Sequence, residues 1–122
     1  MIGYLMFGTN DLKKAANFYD NLLKDIGASI AYETDDFVAW SFGEGTSMFT
    51  ITKPFDKNPA TVGNGVMVAL KAENSTAVDA LHAKALKLGG TNEGDPGPRG
   101  KGFYAAYFRD LDGNKLNFFC YT

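Results

Sequence analysis

His82 and Cys120 are the only histidine and the only cysteine in the chain, and this limits the chemistry open to it. A serine or cysteine nucleophile needs a neighbouring base, so any such pair would have to use His82. Its place in a helical pattern beside an apolar stripe predicts a packing or interface residue. Cys120 has no partner for a disulfide or a zinc knuckle, and nothing nearby suggests a lowered thiol pKa; it reads as core or edge. The stretch 91–102 (TNEGDPGPRGKG) mixes glycine and proline with Glu93, Asp95, Arg99 and Lys101. Arg99 offers a planar fork for a carboxylate or phosphate. The stretch reads either as a lid or as a solvated connector. Tyr104 and Tyr107 follow it three residues apart, so in a strand only one should face any given side. Trp40 could line a cavity or plug one. Gly63-Asn64-Gly65 precedes a strand rather than a helix and is no dinucleotide loop. Gly100-Lys101 lacks the spacing of a phosphate loop. Asp110-Leu111-Asp112 opens like a calcium loop, but Gly113 is misplaced and no Glu closes it.

The elements that would position these residues come in two similar sets. Residues 2–8 (IGYLMFG) read as a strand and 11–26 as a helix. Its apolar face is Leu12, Ala15, Ala16, Tyr19, Leu22, Leu23 and Ile26. Thr9 or Asn10 is the expected cap and Gly27 the expected stop. The order returns 63 residues later. Residues 66–71 form a strand and 75–88 a helix with Val78, Leu81, Ala85 and Leu88 on one face. Asn74 or Ser75 caps that helix and Gly89-Gly90 ends it, with Gly90 equivalent to Gly27. Short strands follow each helix: 29–34, 37–42 and 47–52 in the first half, and a piece near 91–93, 103–109 and 115–121 in the second. Asp110–Asn114 is a hairpin turn. Residues 53–65 connect the halves. Each helix needs a sheet to cover, which leaves the opposite sheet face free to curve around something.

Composition narrows the classes. A chain of 122 residues, 45% apolar and 21% charged, is one ordinary globular domain. The net charge of −2, with basic residues spread along the chain, argues against nucleic acid. There is no apolar run of membrane-spanning length and no signal-peptide pattern at Met1-Ile2-Gly3-Tyr4. A cytoplasmic protein with no membrane partner is expected.

Three stretches carry a family resemblance: Gly8–Tyr19 (GTNDLKKAANFY), Leu88-Gly89-Gly90, and Asp110–Leu116 (DLDGNKL), where Leu111 stands for the family's proline. With the repeat they make the chain similar to the vicinal oxygen chelate superfamily, which includes glyoxalase I, bleomycin-resistance proteins and extradiol dioxygenases. The resemblance implies an α+β fold: two βαβββ modules, approximately 1–53 and 65–122, forming a half-open barrel around a central cavity within a single domain, 1–122. It also implies a homodimer. Metal-dependent members carry ligands at positions that fall here on Tyr4, Thr50, Met67 and Asn117, with one or two residues of slip possible at Thr50. A phenol, a hydroxyl, a thioether and a carboxamide are a poor set for a divalent ion. The expected protein therefore has no metal and no cofactor at these positions. It binds or sequesters a small molecule, with Tyr4, Trp40, Thr50, Met67, Arg99, Asn117 and one of Tyr104 or Tyr107 as contacts. A lyase or isomerase of glyoxalase type, and a structural dimer with a vestigial cavity, are the alternatives. Whether the protein is an enzyme stays open at this level.

Overall fold

The computed structural model describes all 122 residues, Met1–Thr122. The chain forms two compact units, Met1–Val62 and Gly63–Thr122. The first contains β1 (Tyr4–Gly8), α1 (Leu12–Leu23), β2 (Ser29–Glu33), β3 (Phe37–Ser41) and β4 (Met48–Thr52). The second contains β5 (Val68–Lys71), α2 (Ser75–Lys87), β6 (Thr91–Pro98), β7 (Phe103–Arg109) and β8 (Lys115–Tyr121). Each unit is thus a βαβββ module, and the architecture is the α+β one expected from the repeat.

The two sheets share one plan, in the orders β1-β4-β3-β2 and β5-β8-β7-β6. The outer strands β1 and β5 run parallel to β4 and β8, and the other pairs are antiparallel. The helical crossover explains this, because strand–helix–strand units return the chain in the same direction. Met6 pairs with Thr50 and Ala69 pairs with Asn117. Met6 and Ala69 are the two positions 63 residues apart, so Thr50 and Asn117 occupy equivalent sites without slip.

Burial explains the helices. In α1 the buried face is Ala15, Phe18, Tyr19, Leu22 and Leu23; in α2 it is Val78, Leu81, His82 and Ala85. They lie on the strand residues that alternate inward, which include Val38, Trp40, Phe49 and Ile51 in the first sheet and Phe108, Leu116, Phe118 and Cys120 in the second. Two details differ from the sequence reading. The α1 cap is Asp11, not Thr9 or Asn10: its carboxylate accepts from the Lys14 amide at 3.1 Å. Gly27 takes the left-handed conformation (φ 84°) after a short 3-10 turn, whereas in the second unit Gly89 does so (φ 110°) and Gly90 does not. The second helix ends without a 3-10 turn, and its left-handed position falls one residue earlier in the repeat.

The stretch 91–102 is mostly strand. Thr91–Pro98 pairs along β7 with register shifts between Asn92 and Gly94 and between Gly94 and Gly97. Glycine and proline read as loop in sequence, but the two irregularities absorb them within an edge strand.

Candidate functional site

Each sheet has one face under its helix and one face turned away. Alternation along the strands sorts the predicted site residues between the two. In the first unit, Tyr4 on β1 and Thr50 on β4 share the face turned away from α1. Tyr4 is 60% exposed and Thr50 only 2%. Met6, Tyr32 and Met48 share that face. Trp40 does not. It alternates with Phe49 toward α1, is fully buried, and donates its indole N–H to Asp20 of the helix at 3.1 Å. Tyr19 and Phe49 stack around it. Trp40 is a core residue and leaves the contact set.

In the second unit the two tyrosines separate. Tyr104 lies on the helix side: its hydroxyl donates to Asp79 of α2 at 2.7 Å. That carboxylate, as acceptor, pushes the phenol pKa up from its usual value. Tyr107 lies on the other side, directly opposite Asn117 in the β7–β8 register. Alternation had required that the two differ, and the α2 side claims Tyr104. Met67 sits one residue before β5 and is 40% exposed.

Asn117 is the unusual member. Its neighbours in register are Tyr107 and Ala69, and it is 1% exposed. Its carbonyl oxygen Oδ1 is buried with no hydrogen-bond partner. An acceptor left unsatisfied away from water carries its full desolvation cost, about 1–3 kcal/mol, and such atoms are rare in native proteins.

Charged side chains lie on the same sheet face, two of them beside the ring of Tyr107, the register partner of Asn117. The Arg99 guanidinium lies 5.5 Å from the Tyr107 ring centre and donates only to main-chain carbonyls, those of Asp95 and Pro98. The Lys115 ammonium lies 5.6 Å from the same ring, and Lys71 reaches over Tyr121 at 5.4 Å. Arg109 is held by Glu93 at 3.0 Å and donates to the Gly113 carbonyl. The hydrogen bond from Arg109 holds the Glu93 carboxyl below its usual range. The sequence reading passed over Lys115 and Phe119. Strand alternation would have found both, because 115, 117, 119 and 121 share a face once β8 is assigned.

His82 is committed elsewhere. Its Nε2 is 3.1 Å from both Asn92 Oδ1 and the Tyr107 carbonyl. Both are acceptors, so the proton sits on Nε2. The ring ties α2 to β6 and β7 from the buried side. Two surface clefts, of about 320 and 520 Å³, lie around the start of α1 near Asn10, Leu12 and Lys53. None of the sequence-predicted contacts lines them.

The four positions where metal-dependent relatives would carry ligands hold a phenol, a hydroxyl, a thioether and a carboxamide. No group of three or more His, Cys, Asp or Glu side chains is arranged to hold a metal ion. These donors do not fit a divalent cation: a hard one takes carboxylates that balance its charge, and a borderline one takes imidazoles or thiolates.

A family model for the Glyoxalase/Bleomycin resistance protein/Dioxygenase superfamily matches residues 1–118. The chain belongs to this superfamily. Among solved structures it is similar to a glyoxalase/bleomycin resistance protein from Albidiferax ferrireducens T118, with 36% identity over 100% of this chain and 99% of that one, at a TM-score of 0.92. A hypothetical protein from S. aureus is 27% identical over 98% of this chain and 92% of its own, at a TM-score of 0.75. A lactoylglutathione lyase from Agrobacterium tumefaciens shares the fold at a TM-score of 0.73 and 19% identity, covering 98% of this chain and 92% of its own. A search of curated proteins finds no match. This superfamily member thus keeps the two-module fold while carrying neutral side chains at its equivalent strand positions.

Proposed function

We propose that this chain binds or sequesters a small molecule without a metal ion, on the face of the second sheet centred on Asn117. The observation that carries the reading is the buried, unpartnered Oδ1 of Asn117. It stands at the strand position equivalent to Thr50, where metal-dependent members would carry their last ligand. An acceptor there has a use if a ligand supplies the missing donor. Tyr107, Arg99 and Met67 are the further contacts in this unit, and Tyr4 and Thr50 stand at the corresponding places of the first sheet. Sequestration is preferred to catalysis because the only histidine is engaged on the helix side and no nucleophile–base pair is left.

The test is thermal stabilisation of the purified protein across a metabolite panel, beside Asn117→Leu. The expected result is that some compound raises the melting temperature of the wild type and that the variant loses the response. The variant itself should be as stable as the wild type or more so, by about 1–2 kcal/mol in urea unfolding, because leucine removes the unsatisfied acceptor. No response from any compound, or an unchanged response in the variant, overturns the reading. So does a stoichiometric divalent ion in the purified protein that Asn117→Leu releases.

The protein is further read as a cytoplasmic homodimer. Tyr4, Met6 and Tyr32 expose apolar surface on one face of the first sheet, and such clustering is characteristic of interaction surfaces. The lone cysteine is a buried free thiol, compatible with a reducing compartment. No helix is long and apolar enough to cross a membrane.

A further inference from the structure

We infer that the ligand of the second sheet is a small organic anion that also carries its own N–H or O–H donor, of the hydroxy- or amino-carboxylate class. The inference rests on the binding site proposed around Asn117 and names what that site would select.

Two features of the face make different demands. The first is charge. Lys71, Arg99, Arg109 and Lys115 outnumber the carboxylates Glu93 and Asp95, and Glu93 is bonded to Arg109. The nearby Asp95 carboxylate accepts from the Asn92 amide at 2.7 Å and does not pair with Arg99. Arg99 and Lys115 therefore approach one aromatic ring with no carboxylate bonded to either. Like charges gathered about one ring repel each other, and the ring's quadrupole offsets that only in part. An anion among them would be held by charge-assisted hydrogen bonds, and the Arg99 fork suits a carboxylate in particular.

The second feature is the Asn117 acceptor. A carboxylate cannot satisfy it, because Oδ1 and a carboxylate are both acceptors. The ligand must bring a hydrogen to that atom. Tyr107 fixes the distance between the two demands. Its ring is beside both cations, and its backbone lies directly opposite Asn117, where cross-strand side chains stand about 5 Å apart. A donor one or two bonds from a carboxylate spans that gap.

The experiment uses three matched probes on the full chain: 2-hydroxyhexanoate, hexanoate without the hydroxyl, and 2-hydroxyhexanamide without the charge. Calorimetric titration should rank 2-hydroxyhexanoate at least tenfold tighter than either of the others. Arg99→Gln and Lys115→Gln should each weaken the hydroxy acid about tenfold and leave the hydroxy amide unchanged. Asn117→Leu should weaken both hydroxyl-bearing probes and leave hexanoate unchanged. The inference is overturned if the amide binds as well as the acid, if the two glutamine variants bind the acid normally, or if none of the three probes binds. The underlying reading is judged separately. If neutral compounds of the metabolite panel still stabilise the protein through Asn117, the site stands and only its preference for anions falls.

Discussion

Trp40 is fully buried, and its indole N–H is bonded to Asp20, an exposed residue of α1. Removing the acceptor strands that N–H, so Asp20→Ala should cost about 1–3 kcal/mol. Trp40 is the only tryptophan, so its fluorescence during urea unfolding reports the loss directly. Tyr104 gives a second prediction at this scale. Its hydroxyl donates to Asp79, which favours the neutral phenol and raises its pKa above 10.0. The folded value lies above the unfolded one. The bond's contribution is therefore complete below about pH 10 and is lost as pH climbs through the folded value. In an ultraviolet titration of the folded protein, Tyr104 should ionise late, above the ordinary phenol value. Tyr104→Phe, or Asp79→Asn, should remove that late step; an unchanged curve would refute it. The sequence placed Tyr104 and Tyr107 on opposite sides but not which went where. That choice depends on Asp79, a residue on a distant helix that local spacing does not report.

Among the elements, the junction after α2 packs closely against main-chain atoms. A Cβ added at Gly90 would lie 2.9 Å from the carbonyl oxygens of Ala85 and Arg109, both main-chain atoms that cannot swing away. Gly90→Ala should cost about 3 kcal/mol or more, measured by urea unfolding. Gly27→Ala meets no atom within 4 Å but must adopt φ 84°, so its cost should be the smaller one of backbone strain, about 1–2 kcal/mol. The repeat made these two glycines look interchangeable, although one is kept for close approach and the other for its angle. Helices, helix faces and the Asp110–Asn114 hairpin were legible because periodicity and turn chemistry are local. Asp110 indeed closes that turn by accepting from the Asp112 and Asn114 amides at 2.9 Å. The edge strand β6 was not legible beyond its first residues. Its glycines and prolines carry a loop's composition, and pairing with β7 decides otherwise.

For the whole molecule, the repeat was the most informative sequence signal. It placed Met67 as the counterpart of Tyr4 at an offset of 63, while Thr50 and Asn117 followed from the family resemblance, and the strand register gives those two equivalent places. It did not reveal that Asn117 would be left without a donor, which depends on every neighbour at once. The proposed homodimer is tested at this scale. Sedimentation equilibrium should give twice the 13.2 kDa chain mass. Tyr4→Ser combined with Met6→Ser should shift the population toward monomer, since each removes exposed apolar area. A monomer at micromolar concentration in the wild type would overturn the assignment.

The irregular edge strand has one more consequence. β6 ends the second sheet, and Pro96 and Pro98 give that margin two positions with no amide hydrogen to offer. A neighbouring molecule trying to extend the ladder there would find broken rungs and a backbone that bends away. The glycine–proline run that looks like a linker thus disfavours the addition of another strand at that margin.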